Sequence, residues 1–537
     1  MSAPAEAAII TAGIAPELFV GRDAFPTSRT LVAAVLAFLI LLGFGFRVFQ
    51  LGAEGLSEDE LNKLHAVEDY RARGLTASNG EHPMLMKALL TASVVAAESW
   101  NSSRVVADRP SLRVSTEAAL RLPAALFGAF IPLLIYLFAS ELFGTQTGLV
   151  AAALWAIDPT GIAFNRIAKE DTFLLFFFLL ANIFWVRGQR IAESGRERPE
   201  RYYWAAAASF GAMMASKYMP HFFGISASYY YIYQDIPAMR WRLGKVRWLI
   251  FFTIMGATFL LCNPTILLPA TWHEMRIFAG EHRIGHDSYE FMGRLYGNQL
   301  TLWLKGVPWY FYFVFMAVKI PLPVLLGFLA GLPLLFRKRL GDGRYFLLFW
   351  MMYFFMPFSV VGGKYTRYFT TALPVVLITS AIGLQALAAH LSRLAARAFS
   401  SEHAGSVARA ALAVIVIASS LLASASAAPH YRLYTNALGG GQERAGTFFP
   451  HDEFYDASMR EAVSEVARRA QPGARVASET PSLVAYYAQL AGRSDLAPVS
   501  LSDKTAVSGL TEGDVIILAR GRRYFSNDAL TRRLQET

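Results

Sequence analysis

The chain has 537 residues, of which 54% are hydrophobic and only 17% are charged. This composition excludes a disordered protein, which has few apolar residues and many charges. The formal net charge of +10 is carried by short basic clusters between long apolar runs. Such clusters are typical of cytoplasmic loops in membrane proteins, and without interleaved aromatic residues they do not predict nucleic-acid binding.

The apolar runs predict a polytopic membrane protein, because about 20 apolar residues in a helix cross the roughly 30 Å of hydrocarbon in a bilayer. The first run follows Arg22 and Arg29, and we interpret it as a retained helix rather than a cleaved signal peptide. We predict about eleven spans. They lie near residues 31–49, 118–140, 147–163, 172–187, 202–216, 220–236, 248–266, 318–336, 344–361, 368–390 and 410–427.

The basic clusters predict the orientation of these spans in the inner (plasma) membrane. With a cytoplasmic segment at 1–30, four basic loops fall on the cytoplasmic side, as the positive-inside rule requires. These loops cover residues 187–201, 240–247, 337–339 and 393–409. The membrane module, residues 31–427, then has two large outer loops, 50–117 and 267–317. The short apolar stretch 85–97 is placed in the outer interface, since counting it as a span would invert every later loop.

The tail, residues 428–537, predicts a soluble extracytoplasmic α/β domain. Met459, Val463 and Val466 follow helical spacing, and short β-like runs occur at 475–477 and 514–518 with a helix around 485–487 between them. The predicted fold class is therefore an all-α polytopic membrane protein with a C-terminal soluble α/β domain.

Five clusters of ionisable residues lie at the predicted outer ends of helices, at 57–60, 81–87, 165–171, 216–218 and 362–368. Each alone has an ordinary interpretation, such as a helix cap, a snorkelling lysine or a solvated loop. Three basic clusters on the outer side nevertheless run against the positive-inside rule, and acidic groups share their face. Lysine and arginine can hold a lipid phosphate, and a nearby carboxylate can take a proton from an incoming hydroxyl. Together the clusters predict a functional site.

These residues resemble the glycosyltransferase C superfamily, and within it glycosyltransferase family 39, the protein O-mannosyltransferases and the aminoarabinose transferase of lipid A. Asp59-Glu60 is similar to the family's Asp-Glu motif. The run 82–87 is similar to its His-Pro-Pro-Leu-Gly-Lys element, with Met84 and Met86 in place of the second Pro and the Gly. Further matches follow in the family order over residues 30–430. They are Arg121-Leu122-Pro123, Arg166 with Asp171, Lys217-Tyr218, Lys319-Ile320-Pro321 and the stretch 367–374.

The resemblance implies an inverting glycosyltransferase that moves a sugar from a polyprenyl-phosphate donor to a protein, lipid or glycan acceptor on the outer face of the membrane. Asp59 would be the catalytic base, and Lys87, Lys217 and Arg367 would hold the donor phosphate. Four residues would order the loop or bind the sugar. They are Glu60, His82, Arg166 and Asp171. Besides donor and acceptor, membrane lipids are the only partners that we predict.

Two further segments carry weaker expectations. The loop 272–287 contains His273, His282 and His286 with several carboxylates, but its spacing matches no compact zinc pattern. We assign no metal ligands and keep a divalent ion only as an alternative. In the tail, His451-Asp452-Glu453 is expected to be a solvated acidic turn, with contact to the acceptor as the alternative.

Two other function classes stay open from the sequence. A transporter or lipid flippase also has many helices, but it usually carries ionisable residues and broken helices near the bilayer midplane in repeated halves. The predicted spans here have few charges in their middles, and no repeat is visible. A non-catalytic assembly subunit with a soluble tail is the remaining alternative.

Overall fold

The computed structural model describes residues 28–194, 198–235, 243–280 and 287–536. Most of the predicted segment 1–30 therefore lies outside the described residues. The described chain is mainly α-helical with two small sheets, so the predicted fold class, a polytopic helical membrane protein with a C-terminal α/β part, is confirmed.

The first half of the chain alternates long helices with shorter connecting ones. In chain order the helices are α1 (Arg29–Val48), α2 (Glu58–Arg73), α3 (Met84–Asn101), α4 (Arg104–Asp108), α5 (Thr116–Phe143), α6 (Thr145–Ala156), α7 (Pro159–Phe164), α8 (Asp171–Ser194), α9 (Glu200–Ser216), α10 (Phe223–Asp235), α11 (Lys245–Cys262) and α12 (Pro269–Gly280).

The second half continues with α13 (Phe311–Lys319), α14 (Leu322–Gly331), α15 (Gly343–Val360), α16 (Leu373–Ala398) and α17 (Glu402–Ala427). The tail adds α18 (Pro450–Phe454), α19 (Met459–Arg469), α20 (Pro481–Leu490), α21 (Lys504–Ser508) and α22 (Asp528–Glu536). Short 3₁₀ turns join several of these, among them Thr366–Thr371 between α15 and α16.

Each predicted span coincides with helical structure. Within the described residues, six helices are long and apolar enough to cross a membrane: α1, α5, α8, α11, α16 and α17. The predicted span 147–163 is broken between α6 and α7, where Asp158 caps α7 and Pro159 occupies its first turn. The predicted span 318–336 is likewise broken before α14, at Pro321.

The helices pack around a buried aromatic core that contains Trp155, Trp185 and Trp350. The closest approach is between α14 and α16. A Cβ atom on Gly383 would lie 1.9 Å from the backbone oxygen of Gly327, so only glycine fits there. This close packing of α14 and α16 lies next to the loop 361–372, which carries Arg367 and leads into α16.

The predicted outer loop 50–117 forms two longer helices, α2 and α3, and the short helix α4. Helix α2 begins with a capping box, in which the Ser57 side chain accepts from the Glu60 backbone N–H and the Glu60 carboxylate accepts from the Ser57 backbone N–H. Helix α3 begins after Pro83 and packs against α5. The short apolar stretch 85–97, which the sequence analysis did not count as a span, is helical within α3.

The tail forms a three-stranded parallel sheet in the order β4-β3-β5. The strands are β3 (Arg475–Ser478), β4 (Ala497–Ser500) and β5 (Val515–Ile516). Helix α20 connects β3 to β4, as parallel pairing requires a crossover. The predicted strands at 475–477 and 514–518 and both predicted helices are confirmed. Strand β4 was not predicted, because Pro498 interrupts its pattern.

A separate antiparallel hairpin, β1 (Ser288–Phe291) and β2 (Arg294–Gly297), lies in the predicted outer loop 267–317. Met292 and Gly293 form its two-residue turn with φ of 52° and 77°. The strand pairing was not predicted, since four-residue strands carry too little alternation to be recognised.

Candidate functional site

Asp59 lies in the first turn of α2, at the end of the bundle where α1 ends and α8 begins. Its Oδ2 atom accepts a hydrogen bond from the Tyr455 hydroxyl at 3.0 Å and lies 3.0 Å from the Lys169 ammonium. The Arg367 guanidinium is 3.6 Å from the same oxygen. The Asp59 side chain is 37% exposed, so the carboxylate is held on one side and open on the other.

The charge around Asp59 keeps it ionised. Burial of the group raises its pKa, but the opposite charges of Lys169, Arg367 and Lys63 outweigh that effect and hold the Asp59 pKa well below its usual value. Asp59 is therefore a carboxylate at physiological pH.

Lys169 belongs to a buried network that the sequence analysis did not assign. The neighbouring Glu170 carboxylate lies 2.9 Å from the Lys63 ammonium and 3.2 Å from the Nδ1 atom of His82. Lys169 itself is 3.8 Å from Glu170. Burial raises the pKa of Glu170, but His82, Lys169 and Lys63 outweigh that effect and hold the pKa well below its usual value. The network joins the loop before α8 to α2 and to the loop before α3.

Glu60 points away from the opening and is fully buried. The Arg121 guanidinium on α5 donates to both of its oxygens, at 2.8 and 2.7 Å, and the backbone N–H of Ala168 donates at 3.0 Å. With the capping bond from Ser57, the carboxylate joins α2, α5 and the loop before α8. This arrangement suits an ordering role for Glu60 and leaves Asp59 as the exposed member of the pair.

Lys217, Asp171 and Arg367 meet at the ring of Tyr368. The Lys217 ammonium lies 2.6 Å from Asp171 and 4.4 Å from the centre of the Tyr368 ring, and the Arg367 guanidinium lies 5.6 Å from the same ring. The structure therefore places Lys217 and Arg367 near the same ring, and Arg367 is the one of the two that contacts Asp59. The Arg367 guanidinium also stacks on Tyr365, 4.3 Å from the ring centre, whereas its Nε has no hydrogen-bond partner among the described residues and Asp452 is 3.9 Å away.

Lys87 lies in the same region, but its ammonium is turned inward. It donates to the backbone carbonyls of Ser78 and Asn79 at 3.0 and 2.8 Å, and its side chain is almost completely buried. Burial lowers the pKa of Lys87 to about 7, and the charge of Lys63 adds to that effect. In this arrangement Lys87 holds the loop before α3.

We expect the substitution Lys87→Met to loosen that loop. It removes both donors from buried carbonyls, and one net hydrogen bond of this kind corresponds to about tenfold in an opening equilibrium. Amide hydrogen exchange over residues 74–83, followed by mass spectrometry, should become about tenfold faster. Lys305→Met, at an exposed lysine of the other outer loop, is the control. Unchanged exchange in Lys87→Met would contradict the assigned role.

Arg166 lies behind the site, and its hydrogen bonds go to backbone. Its guanidinium donates to the carbonyls of Arg47, Phe49 and Gln50 at 2.9, 2.7 and 3.0 Å, at the end of α1. The Arg166 guanidinium also lies 5.1 Å from the centre of the Tyr431 ring. Of the predicted site residues, Arg166 is therefore brought near the others without facing the opening.

The expected solvated acidic turn at 451–453 is wrong. His451, Asp452 and Glu453 are all buried, because α18 packs between β1 and the loop 361–372. Asp452 accepts from the Tyr289 hydroxyl and from the Thr366 backbone N–H, both at 2.7 Å, and Glu453 pairs with the Lys319 ammonium. The tail thus reaches the same end of the bundle as Asp59.

No cluster of three His, Cys, Asp or Glu side chains suited to a metal ion occurs within the residues that the structure describes. Of the histidines in the loop 272–287, His273 lies on α12, whereas His282 and His286 lie outside the described residues. The alternative of a divalent ion at that loop stays a prediction.

Sequence reasoning missed Lys169, Glu170 and Tyr455. Lys169 and Glu170 stand in the flagged cluster 165–171, and the charge alternation there was a usable signal. The sequence contains no signal for Tyr455, because its contact with Asp59 joins residues that are 396 positions apart.

Comparisons with known proteins show similarity in sequence over part of the chain and in fold over most of it. Residues 110–268 match the family model described as dolichyl-phosphate-mannose-protein mannosyltransferase. No curated protein matches the chain in sequence.

Among solved structures, ArnT from Cupriavidus metallidurans bound to undecaprenyl phosphate is 15% identical, with 90% of this chain and 91% of that chain covered and a TM-score of 0.51. The apo oligosaccharyltransferase from Archaeoglobus fulgidus is 12% identical, with 88% and 65% covered and a TM-score of 0.53. This chain therefore spans about two thirds of the archaeal protein. At these identities the similarity establishes the fold. The family model and the fold together confirm the resemblance to the glycosyltransferase C superfamily and, within it, to glycosyltransferase family 39.

Proposed function

We propose that the chain is an inverting glycosyltransferase that moves a sugar from a polyprenyl-phosphate donor to an acceptor on the outer face of the inner (plasma) membrane. The observation that carries the proposal is the Asp59 carboxylate, open on one side and contacted by Lys169 and Arg367 on the other. A base beside two cations is what transfer from a phosphate-linked sugar requires.

In the proposed reaction, Asp59 takes the proton of an acceptor hydroxyl or amine. The acceptor atom then forms a bond to the anomeric carbon from the face opposite the phosphate, and the bond from that carbon to the phosphate oxygen breaks. The electron pair leaves with the polyprenyl phosphate, and the configuration inverts. Because phosphate is already a good leaving group, no second carboxyl is needed as a general acid, unlike in most glycoside hydrolases.

We assign the leaving phosphate to Arg367 and Lys217, with Lys169 as an additional cation. The ion pairs of Arg367 with Asp59 and Asp452 are long, at 3.6 and 3.9 Å, and its Nε is unpartnered among the described residues, so the guanidinium keeps a donor for a phosphate oxygen. A phosphate that attracts Lys169 and Arg367 also weakens their hold on Asp59, so donor binding would raise the basicity of the carboxylate. Lys87 is proposed to order the donor loop through its backbone contacts.

The remaining predicted residues support this centre. Glu60 and Arg166 are proposed to order the loops, His82 to hold Glu170 in place, and Asp171 to hold the Lys217 ammonium. The polyprenyl phosphates named with the solved relatives are undecaprenyl phosphate in ArnT and dolichol phosphate in the archaeal AglB complex, which is 12% identical with a TM-score of 0.50. Because both of these lipids are polyprenyl phosphates, we propose a polyprenyl phosphate as the donor lipid here.

The donor class is tested by binding of undecaprenyl phosphate to the full-length protein in nanodiscs. We expect Arg367→Gln to raise the Kd by about tenfold to a hundredfold, since a hydrogen bond to a charged group contributes about 1.5–3 kcal/mol. Lys217→Gln should have an effect in the same direction, and Lys305→Gln, at an exposed outer lysine, should have none. Equal affinity in all four proteins would exclude this phosphate site.

The activity is tested by mass spectrometry of outer-face glycans, glycolipids and glycoproteins from a strain that lacks the gene and from its parent. Loss of one glycosylated product from the deletion strain is the expected result, and it would identify sugar and acceptor together. An unchanged glycan profile would favour the alternative of a transporter or lipid flippase.

A further inference from the structure

The tail segment 449–456 contacts both loops that carry the candidate centre; we name it the docking segment. Asp456 accepts from the Glu58 backbone N–H at 3.1 Å, in the first turn of α2. Tyr455 donates to Asp59 at 3.0 Å. Asp452 accepts from the Thr366 backbone N–H at 2.7 Å, next to Arg367. One short segment therefore spans from the carboxylate to the guanidinium.

The backbone of the docking segment is unusual at the contact with Asp59. Tyr455 and Asp456 have φ of 47° and 59°, in the left-handed region that disfavours residues with a side chain. Neither position is glycine, so the surrounding contacts hold them there. Residues kept in such conformations cluster at functional sites. The Arg522 guanidinium fixes Asp456, at 2.7 Å from Nε to Oδ1, and so supports this backbone.

The Tyr455 hydroxyl differs from the other groups around Asp59 because it is neutral. Burial and the neighbouring Asp59 charge raise the pKa of Tyr455 well above its usual value, so it remains a proton donor. Lys169 and Arg367 would be attracted to a bound phosphate, whereas a neutral hydroxyl has no comparable reason to leave. All the contacts described above go to Oδ2, and Oδ1 accepts no hydrogen bond among the described residues.

We propose that Tyr455 is a positioning residue, which holds Oδ2 of Asp59 so that Oδ1 faces the acceptor when the cations turn to the donor phosphate. The tail is then part of the active centre rather than a separate accessory domain. This inference rests on the proposed function for its purpose, but the contact can be tested without any sugar donor.

The test compares Tyr455→Phe with Tyr431→Phe in the full-length protein in nanodiscs. Tyr431 is a matched control, because its hydroxyl has no hydrogen-bond partner among the described residues and its ring packs on Arg166. A water-soluble carbodiimide, which reacts with protonated carboxyls, is applied at pH 5 with glycine ethyl ester as the trapping amine. Labelling of Asp59 is quantified by peptide mass spectrometry relative to Glu58, which is 35% exposed and lies in the same turn.

We expect Asp59 in Tyr455→Phe to be labelled about tenfold faster than in the unmodified chain, since loss of one hydrogen bond to a carboxylate raises its pKa by about one unit. Tyr431→Phe should label at the original rate. Affinity for undecaprenyl phosphate should stay within about twofold in both variants, because Tyr455 is assigned to the base and not to the phosphate. With an active donor, Tyr455→Phe should lower kcat and leave the donor KM unchanged.

An Asp59 labelling rate in Tyr455→Phe equal to the original would overturn the proposal. An equal acceleration in both variants would also overturn it, because it would indicate general loosening. Neither result bears on the glycosyltransferase assignment, which fails separately if undecaprenyl phosphate does not bind or if the deletion strain keeps every glycan.

Discussion

Asp59→Asn should abolish sugar transfer while the protein stays folded. A positioned general base contributes about 10²–10⁴-fold to the rate, and a neutral amide cannot take the acceptor proton. Asparagine keeps an oxygen that can accept from Tyr455, and Lys169 keeps Glu170 at 3.8 Å as a counter-charge. We therefore expect a rate loss of this size with little change in the thermal midpoint.

Asp59→Asn should also affect the affinity for undecaprenyl phosphate. Removal of the Asp59 charge frees Lys169 and Arg367 for a phosphate, so undecaprenyl phosphate should bind at least as tightly as in the unmodified protein. Glu58→Gln is the matched control, one residue away and paired with Arg522 at 3.1 Å. It should retain activity within about tenfold, which is well below the loss expected for a base. Full activity in Asp59→Asn with a competent donor would refute the base assignment.

Glu60→Gln should cause the largest loss of stability among single substitutions near the site. The substitution leaves the Arg121 guanidinium buried opposite a neutral group, and breaking a buried ion pair from one side costs about 3–5 kcal/mol. Glu60 also receives the backbone N–H groups of Ser57 and Ala168, so the loss affects α2, α5 and the loop before α8 together. Unfolding in mixed detergent micelles, monitored by circular dichroism, measures the change.

The exposed pair Arg71–Glu98 provides the comparison. Its side chains are 42% and 50% exposed, and exposed ion pairs contribute about 0–1 kcal/mol. Glu98→Gln should therefore change the free energy of unfolding by less than about 1 kcal/mol. Similar effects of Glu98→Gln and Glu60→Gln would show that the Glu60–Arg121 pair does not fix the loop.

The helical part of the fold followed from the sequence because each span is a long apolar run and each basic loop carries its own charge signal. The capped start of α2 was also visible, since Ser57 and Glu60 stand three residues apart with a helical pattern behind them. The breaks at Asp158 and Pro321 were less visible, because apolar residues continue on both sides of them.

The predicted site residues fall into two groups, those close to the exposed carboxylate of Asp59 and those that are buried behind it. Asp59 contacts Arg367, and Lys217 and Arg367 share the Tyr368 ring, whereas Glu60, Lys87 and Arg166 satisfy backbone or buried charge. Spacing cannot separate these two kinds, since both place an ionisable residue at a helix end. Only the partner of each charge decides its role, and those partners come from distant segments.

The contact between Tyr455 and Asp59 has a consequence for biogenesis. The chain is synthesised from the N-terminus, so α2 is made before Tyr455, which lies 396 positions after Asp59. During that interval Asp59 lacks its hydroxyl partner, and the docking segment is missing from its position against α2. Under the proposed function, a nascent chain, or one truncated in the tail, would carry the proposed base, its cations and the membrane helices without the complete proposed centre.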